Sequence, residues 1–195
     1  MAFMKGKEIP TIDCELVTIT VEGDADNELA LTTANSVAVE VQTETTDAQK
    51  LIVKSKLIAQ KKQAVTITGN QITLTDNVFN VQLVQILQGG TITKDPDTHE
   101  ITKYVPPVAG SNDKGKTFTL NCYSAIYNAA GVCTGYEKTK YPNCTGQPVA
   151  FNTEDNTFRA PEYVIDSAPN TGEAPYEIEF VDALPSVAEY TPSAG

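Results

Sequence analysis

The sequence predicts a mainly β protein with one flanking α-helix. Threonine, valine and isoleucine recur in short alternating runs that Gly, Pro, Asn and Asp separate, which is typical of a β protein with many turns. One segment, residues 75–90, instead places apolar residues at helical spacing. The length of 195 residues suits one domain, and no repeat or change of composition divides it.

The first part of the chain predicts an arm followed by strands. Residues 1–10 are small or charged and end at a proline, so we expect a flexible arm that becomes ordered on a partner. Residues 16–23 alternate as a strand, and residues 37–41 form a second strand with one exposed side. The polar stretch 43–49 is predicted to be a loop.

The lysines between residues 50 and 62 form the basic cluster of the sequence. Residues 50–60 predict two short strands or one bent strand. A nucleic-acid site is one interpretation of the lysines. We favour the other, that lysines on strand edges prevent unwanted pairing, because the surrounding charge is acidic.

Alternation over residues 65–68 and again over 71–74 surrounds Gly69-Asn70. Gly-Asn suits a two-residue loop with positive φ, so the sequence predicts a tight β-hairpin there. In that hairpin one face would carry Val65, Ile67, Ile72 and Leu74.

A helix is predicted to cover this face. Its apolar stripe would be Phe79, Leu83, Ile86 and Leu87, its cap would be Thr75, Asp76 or Asn77, and Gly89-Gly90 would end it. The competing interpretation is a strand, because the segment VFNVQLVQ is rich in β-forming residues. The capping residues favour the helix.

The second half predicts a long loop and several strands. Residues 94–116 form the loop, in which ITKYV pairs as a small hairpin and offers a contact arm. The later strands are predicted at 117–123, on either side of 128–131, around 149–151, around 158–165 and within 175–182. Beyond Pro185 the tail to residue 195 is too polar and small to pack.

Charge and hydropathy bound the function. The net charge of −11 disfavours sequence-independent binding to nucleic acid or to an anionic membrane, although simple solubility explains it equally well. No apolar segment reaches the ~20 residues of a membrane span, and the start lacks the apolar core of a secretory signal. We therefore expect synthesis and residence in a cytosol.

The four cysteines, at 14, 122, 133 and 144, include no Cys-x-x-Cys pair. Reduced thiols are the expectation in a cytosol. A four-thiolate zinc site is allowed by the count alone and disfavoured by the spacing.

The sequence predicts no catalytic residue, no cofactor-binding residue and no metal ligand. His99 lies apart from any serine or cysteine motif, and Gly89-Gly90 fits a helix end better than a phosphate loop. Glu177 and Glu179 share one face of a strand about 7 Å apart, as an acidic dyad requires, but a wetted sheet face explains them better. A solvated turn likewise explains Asp95, Asp97 and Glu100 better than a calcium loop.

Five segments in order carry a resemblance to a known family: ELALTTANSVAVEVQTE, TITGNQITLTDNVFNVQLVQILQGGTIT, KTFTLNCY, GYEKTKYPNCTGQPV and NTFRAPEYVIDSAPNTGEAPYEIEFVDALP. Over residues 28–185 the chain resembles the major tail protein, or tail tube protein, of tailed bacteriophages and prophage-derived tails. The resemblance implies a two-sheet β-sandwich or barrel flanked by a helix, in a single domain over residues 1–195.

The resemblance also implies a function. Six copies would form a ring, and stacked rings would form the virion tail tube that delivers DNA, after assembly in the host cytoplasm beside other tail proteins. The loop 94–116 and the terminal arms would bridge copies, and an acidic lumen would let DNA slide without specific binding. Glu40, Glu177 and Glu179 are the candidates to line it.

Two other functions stay open at this point. One is a surface adhesion or carbohydrate-binding β-module, which would use Tyr123, Tyr127, Tyr136 and Tyr141. The other is a hydrolase based on Glu177 and Glu179.

Overall fold

The computed structural model describes residues 8–23, 28–112 and 114–187. In this part the chain forms strands β1 Thr11–Val21, β2 Glu28–Leu31, β3 Ala34–Thr46, β4 Gln49–Val53, β5 Lys56–Lys61, β6 Ala64–Asp76, β7 Thr91–Lys94, β8 Ile101–Val105, β9 Phe118–Tyr127, β10 Cys133–Gly146, β11 Glu162–Ser167 and β12 Glu177–Val181, and helix α1 Val81–Gln88. The predicted class, mainly β with one helix, is confirmed.

Eight strands form one antiparallel sheet. Its order is β2-β1-β9-β10-β11-β6-β3, and β12 also pairs with β10. Strand β10 pairs with β12 through residues 136–140 and with β11 through residues 144–146. Strands β1 and β3 approach each other without ladder pairing. The sheet therefore curls into two layers without closing into a barrel.

A single core fills the space between the two layers. One layer supplies Val17, Ile19, Phe118 and Leu120, the other supplies Ile72, Leu74, Tyr163 and Ile165, and the helix supplies Leu83, Val84, Ile86 and Leu87. Most of these side chains are fully buried. The apolar residues of the alternating patterns on β1, β9 and β11 face inward, as predicted, and so do Ile72 and Leu74 of β6. The predicted shared face of Val65, Ile67, Ile72 and Leu74 under the helix is wrong, because Val65 and Ile67 are exposed.

The predicted hairpin at Gly69-Asn70 is wrong. Strand β6 runs without a break through both residues, pairing with β3 on one side and β11 on the other. Gly69 is needed for a close approach, because a Cβ there would lie 2.5 Å from the Ser167 carbonyl oxygen. Asn70 is buried, and its Nδ2 donates to the Pro175 carbonyl at 2.9 Å. Gly69 and Asn70 therefore lie inside a strand that has neighbours on both sides, and not in a turn.

The predicted helix is confirmed over Val81–Gln88, and the strand alternative is wrong there. Leu83, Ile86 and Leu87 form its buried stripe, but Phe79, predicted as the first residue of the stripe, lies before the helix begins. The predicted caps are also wrong, because Asn80 caps the helix. Its Oδ1 accepts from the backbone N–H of Gln82 at 2.9 Å and of Leu83 at 3.1 Å. The helix ends at Gly89, whose φ is 82°. Thr75 and Asp76 remain in β6.

Several other boundaries differ from the prediction. The supposed loop 43–49 is wrong over residues 43–46, because β3 pairs with β6 as far as Thr46. No strand forms around 149–151, where the Val149 N–H donates to the Gln88 side chain at 2.9 Å instead of to a ladder. The strand expected over 158–165 begins at Glu162.

The remaining segments follow the predicted pattern where the structure describes them. Residues 50–60 form the two short strands β4 and β5, and ITKYV forms β8, which pairs with β7. Strands β9 and β10 lie on either side of 128–131. The predicted terminal arms fall outside the described residues, apart from 8–10 and 185–187.

Gly69→Ala tests the close approach of β6 and β11. We expect the free energy of unfolding to fall by about 1–3 kcal/mol, because the new Cβ meets a backbone carbonyl that cannot rotate away. Urea denaturation measures the change. Thr66→Ala is the control on the exposed part of the same strand, and it should change stability by less than about 0.5 kcal/mol. Equal midpoints for the two variants would contradict this account.

Asn80→Ala tests the helix cap. Two backbone N–H groups would lose their acceptor, so we expect a loss of about 1 kcal/mol in the free energy of unfolding. Asn80→Asp keeps an acceptor oxygen and should lose much less. Thermal unfolding of the three proteins measures this, and an equal loss for both variants would refute capping as the role of Asn80.

Candidate interaction surfaces

Strands β3 and β6 continue beyond the core as a two-stranded ribbon that leads into the β4–β5 hairpin. A β-bulge at Thr68 marks the start of the ribbon, where the register passes from Gln42 and Gly69 to Thr43 and Ile67. We call residues 43–67 the arm. Every residue of the arm is exposed, so the arm contributes nothing to the core.

The end of the arm is a tight turn. Val53 pairs with Lys56, which leaves Lys54 and Ser55 as a two-residue loop with φ of 48° and 64°. Positive φ at both loop residues is what a type I′ turn requires, and its twist matches that of the flanking strands. The hairpin is therefore built with regular β geometry, although neither loop residue is glycine.

The arm exposes large apolar side chains. Between 45% and 65% of each is accessible in Leu51, Ile52, Val53, Leu57, Ile58, Val65 and Ile67. A two-stranded hairpin by itself is marginally stable in water, and contiguous exposed apolar residues mark interaction sites. These properties are typical of a surface that binds a partner.

The arm also differs from the rest of the chain in charge. Its five lysines and two carboxylates give a net charge of +3. The whole chain carries −11, which leaves −14 for the residues outside the arm. Opposite charges steer association and fix its register. The body of a second copy is therefore electrostatically suited to receive the arm.

Strand β12 forms a second exposed surface. Lys138 Nζ lies 2.8 Å from Glu179 Oε2, and Lys140 Nζ lies 3.6 Å from Glu177 Oε2. The Lys138 contact holds the pKa of Glu179 below its ordinary value of 4.5 and raises the pKa of Lys138 above 10.5. The ion pairs fasten β12 to β10 on a solvated face.

The other face of β12 is apolar and exposed. Ile178 is 48% accessible and Phe180 is 57% accessible. Phe180 borders an open groove of about 650 Å³ with Ile9, Ile126 and Tyr127. This groove gives the body an apolar surface on which a neighbour's side chains can pack.

The Glu177–Glu179 dyad is occupied by these lysines. A glycosidase acid needs a raised pKa, whereas the pKa of Glu179 is lowered. The Asp95 carboxylate instead closes its own turn, because Oδ1 accepts from the N–H groups of Asp97 and Thr98, each at 2.9 Å. His99 lies in the same turn and donates its backbone N–H to the Asp95 carbonyl.

Residues 8–23, 28–112 and 114–187 contain no group of three or more His, Cys, Asp or Glu side chains placed to hold a metal ion. The same part of the chain contains no helix with the length and apolarity that a bilayer crossing requires.

The four tyrosines predicted as an interface do not form one exposed platform. Tyr123 and Tyr141 are each only 7% accessible, and Tyr127 and Tyr136 are half-buried. Burial raises the pKa of Tyr141 to about 12. The tyrosines are numerous here because the apolar part of each ring packs in the sheet.

The three lumen candidates lie on two strands. Glu40 is exposed on β3 opposite Gln71, whereas Glu177 and Glu179 are paired with lysines on β12.

The sequence alone did not predict that residues 43–67 form one continuous arm. The feature that could have indicated the arm is the occurrence of lysines together with alternating apolar residues over 50–67. Local patterns assign these residues to several separate elements.

Comparison with known proteins identifies no family for this chain. No protein-family model matches the chain, and no curated protein sequence matches it. Solved structures that resemble it include a chain of the baseplate of the anti-feeding prophage, determined by cryo-EM with six-fold symmetrisation. The TM-score is 0.35 at 8% identity, over 90% of this chain and 95% of that one. This likeness is too slight to establish a shared fold.

The β12 ion pair predicts a dependence on pH. Because the pKa of Glu179 is lowered in the folded state, its stabilising contribution is present above about pH 4.5 and is lost as pH falls through the folded value. Because the pKa of Lys138 is raised, its contribution is lost only as pH rises through a value above about 10.5. Amide hydrogen exchange of residues 177–181 should therefore accelerate, relative to intrinsic rates, as the pH falls from about 4.5 through the lowered folded pKa of Glu179.

Lys138→Met supplies the control for this titration. The variant lacks the partner of Glu179, so the protection of β12 should vary less with pH than in the wild type. Protection that is the same in the wild type and in Lys138→Met at every pH would show that the ion pair does not hold the strand.

Proposed function

We propose that this chain is a structural protein of a phage tail or prophage-derived tail, and that copies of it assemble into stacked rings forming a tail tube. The observation that carries the self-assembly is the arm. It is exposed along its whole length, apolar in seven side chains and basic, while the body is acidic. The ordered strand pattern shared with tail tube proteins supports the ring and the tube.

The arm of one copy would lie on the body of the next. The charges attract, and the apolar side chains of the arm leave water on contact. A contact between different surfaces of neighbouring copies is heterologous, and such contacts close into rings when the rotation permits. By the resemblance, the ring would hold six copies.

The proposal assigns no chemistry to the chain. A structural role agrees with the lysine-paired dyad on β12 and with the self-contained Asp95 turn. DNA would pass through the lumen without specific binding, repelled by carboxylates. The protein would work in the virion beside other tail proteins, after assembly in the host cytoplasm.

The test is replacement of the hairpin by a short turn. Thr46 and Ala64 pair directly, with the Thr46 Oγ1 accepting from the Ala64 N–H at 3.2 Å. Residues 47–63 can thus be replaced by Asn-Gly without changing the register of β3 and β6. We expect rings or tubes of the wild-type protein in negative-stain microscopy. The shortened variant should be a monomer that still unfolds cooperatively on heating, because the deleted residues lie outside the core.

Charge reversal distinguishes a specific role of the arm's lysines in assembly from a general effect of net charge. The variant Lys50→Glu with Lys61→Glu should assemble at least tenfold less readily in sedimentation velocity at low salt, because the arm then repels the body. The matched control is Lys140→Glu with Arg159→Glu, which makes the same change in net charge outside both the arm and the loop 94–116. Equal losses for both pairs, or a wild-type protein that stays monomeric at every concentration and is absent from virions, would contradict the proposal.

A further inference from the structure

Two thiols that are far apart in the sequence are in contact. The Sγ atoms of Cys14 on β1 and Cys122 on β9 lie 3.8 Å apart, across a separation of 108 positions. Both cysteines are free and half-buried against the core. A disulfide needs an S–S distance of about 2.05 Å, so a side-chain adjustment of less than 2 Å separates the pair from a bond.

The backbone around Cys14 is able to supply that adjustment. Between Ile12 and Leu16 the register on β9 advances by only two residues, so β1 bulges there. Asp13, inside the bulge, has φ of 61°. Bulge residues lie outside the regular ladder. Cys122, by contrast, is held by ladders to β1 and to β10. The flexible partner is therefore Cys14.

We propose that Cys14 and Cys122 form a reversible redox site that closes to a disulfide when the protein meets a low-molecular-weight disulfide. In a reducing cytosol the site stays a dithiol, and in an oxidising medium it closes. This inference is independent of tail assembly, because it depends only on the contact between β1 and β9.

The reaction is two successive thiol–disulfide exchanges. The Cys14 thiolate attacks one sulfur of the small disulfide, breaking its S–S bond and releasing one thiolate. The Cys122 thiolate then attacks the Cys14 sulfur and releases the second. The protein loses two electrons to the small disulfide, and the two thiol protons end on the two small thiols.

The order of attack follows from the thiols' environments. The hydrogen bond between the two sulfurs lowers the pKa of Cys14 despite its burial. The same contact, together with burial, raises the pKa of Cys122. Together with the position of Cys14 in the flexible bulge, this direction makes Cys14 the first nucleophile, since the thiolate is the reactive form. Once Cys14 is part of the mixed disulfide it carries no negative charge, so it no longer opposes ionisation of Cys122.

The other two cysteines provide internal controls. Cys133 is exposed on β10, and no other cysteine side chain contacts it. It should take up glutathione and keep it. Cys144 is fully buried, and burial raises its pKa to about 12. It should stay a thiol throughout. One reaction thus compares a paired, an isolated and an inaccessible thiol.

The test treats the full chain with oxidised glutathione, followed by acid quench, alkylation and peptide mass spectrometry. We expect a Cys14–Cys122 bridge, a glutathione adduct on Cys133 and an alkylated Cys144. The bridged protein should have a higher midpoint of thermal unfolding, because the bond closes a long loop in the unfolded chain, and a dithiol reductant should restore the original midpoint.

Cys14→Ser and Cys122→Ser identify the pair. Neither variant should gain a bridge or a shifted midpoint, while Cys133 should react as in the wild type. The proposal is overturned if Cys133 is fully modified while Cys14 and Cys122 remain thiols, or if Cys14 retains glutathione. A bridge that fails to raise the midpoint would also overturn it, because closure would then deform the sheet.

Discussion

The fold depends on the close packing of helix α1 between the two halves of the curled sheet. A Cβ on Gly146 of β10 would lie 2.5 Å from the Leu87 Cα, and one on Gly115 would lie 2.0 Å from the Leu87 carbonyl oxygen. Only glycine permits this approach. At the other end of the helix, the Asn80 N–H donates to the Tyr163 hydroxyl of β11 at 3.3 Å. The helix therefore ties β10 and β11 together over one core.

Because that core is complete without residues 43–67, the apolar side chains of the arm have no place inside the monomer. The division of charge leads to the same conclusion, since a single chain separates a basic ribbon from an acidic body. A chain whose arm served only as a loop would gain nothing from seven exposed aliphatic side chains, which promote aggregation when they lack a partner. The arm is best understood as half of an interface.

Local patterns in the sequence predicted what local physics determines. Alternation located β1, β9 and β12, and apolar spacing followed by Gly89 located the helix. Contacts distant in sequence were out of reach. Gly69 looks like a turn residue until Ser167 is known to lie against it, and no spacing rule brings Cys14 to Cys122. The ion pairs of β12 were missed for the same reason, because Lys138 is 41 positions from Glu179.

The energy of the arm favours a ring over a dimer for the assembly that we propose. Burial of a large aliphatic side chain contributes about 1.5–3 kcal/mol when it starts fully exposed, so seven that start about half exposed offer on the order of 5–10 kcal/mol. The loss of translational and rotational freedom costs about 4–15 kcal/mol. One arm contact is therefore marginal. The last copy to join a closed ring both gives and receives an arm. It therefore forms two contacts but loses its translational and rotational freedom only once, which makes ring closure cooperative.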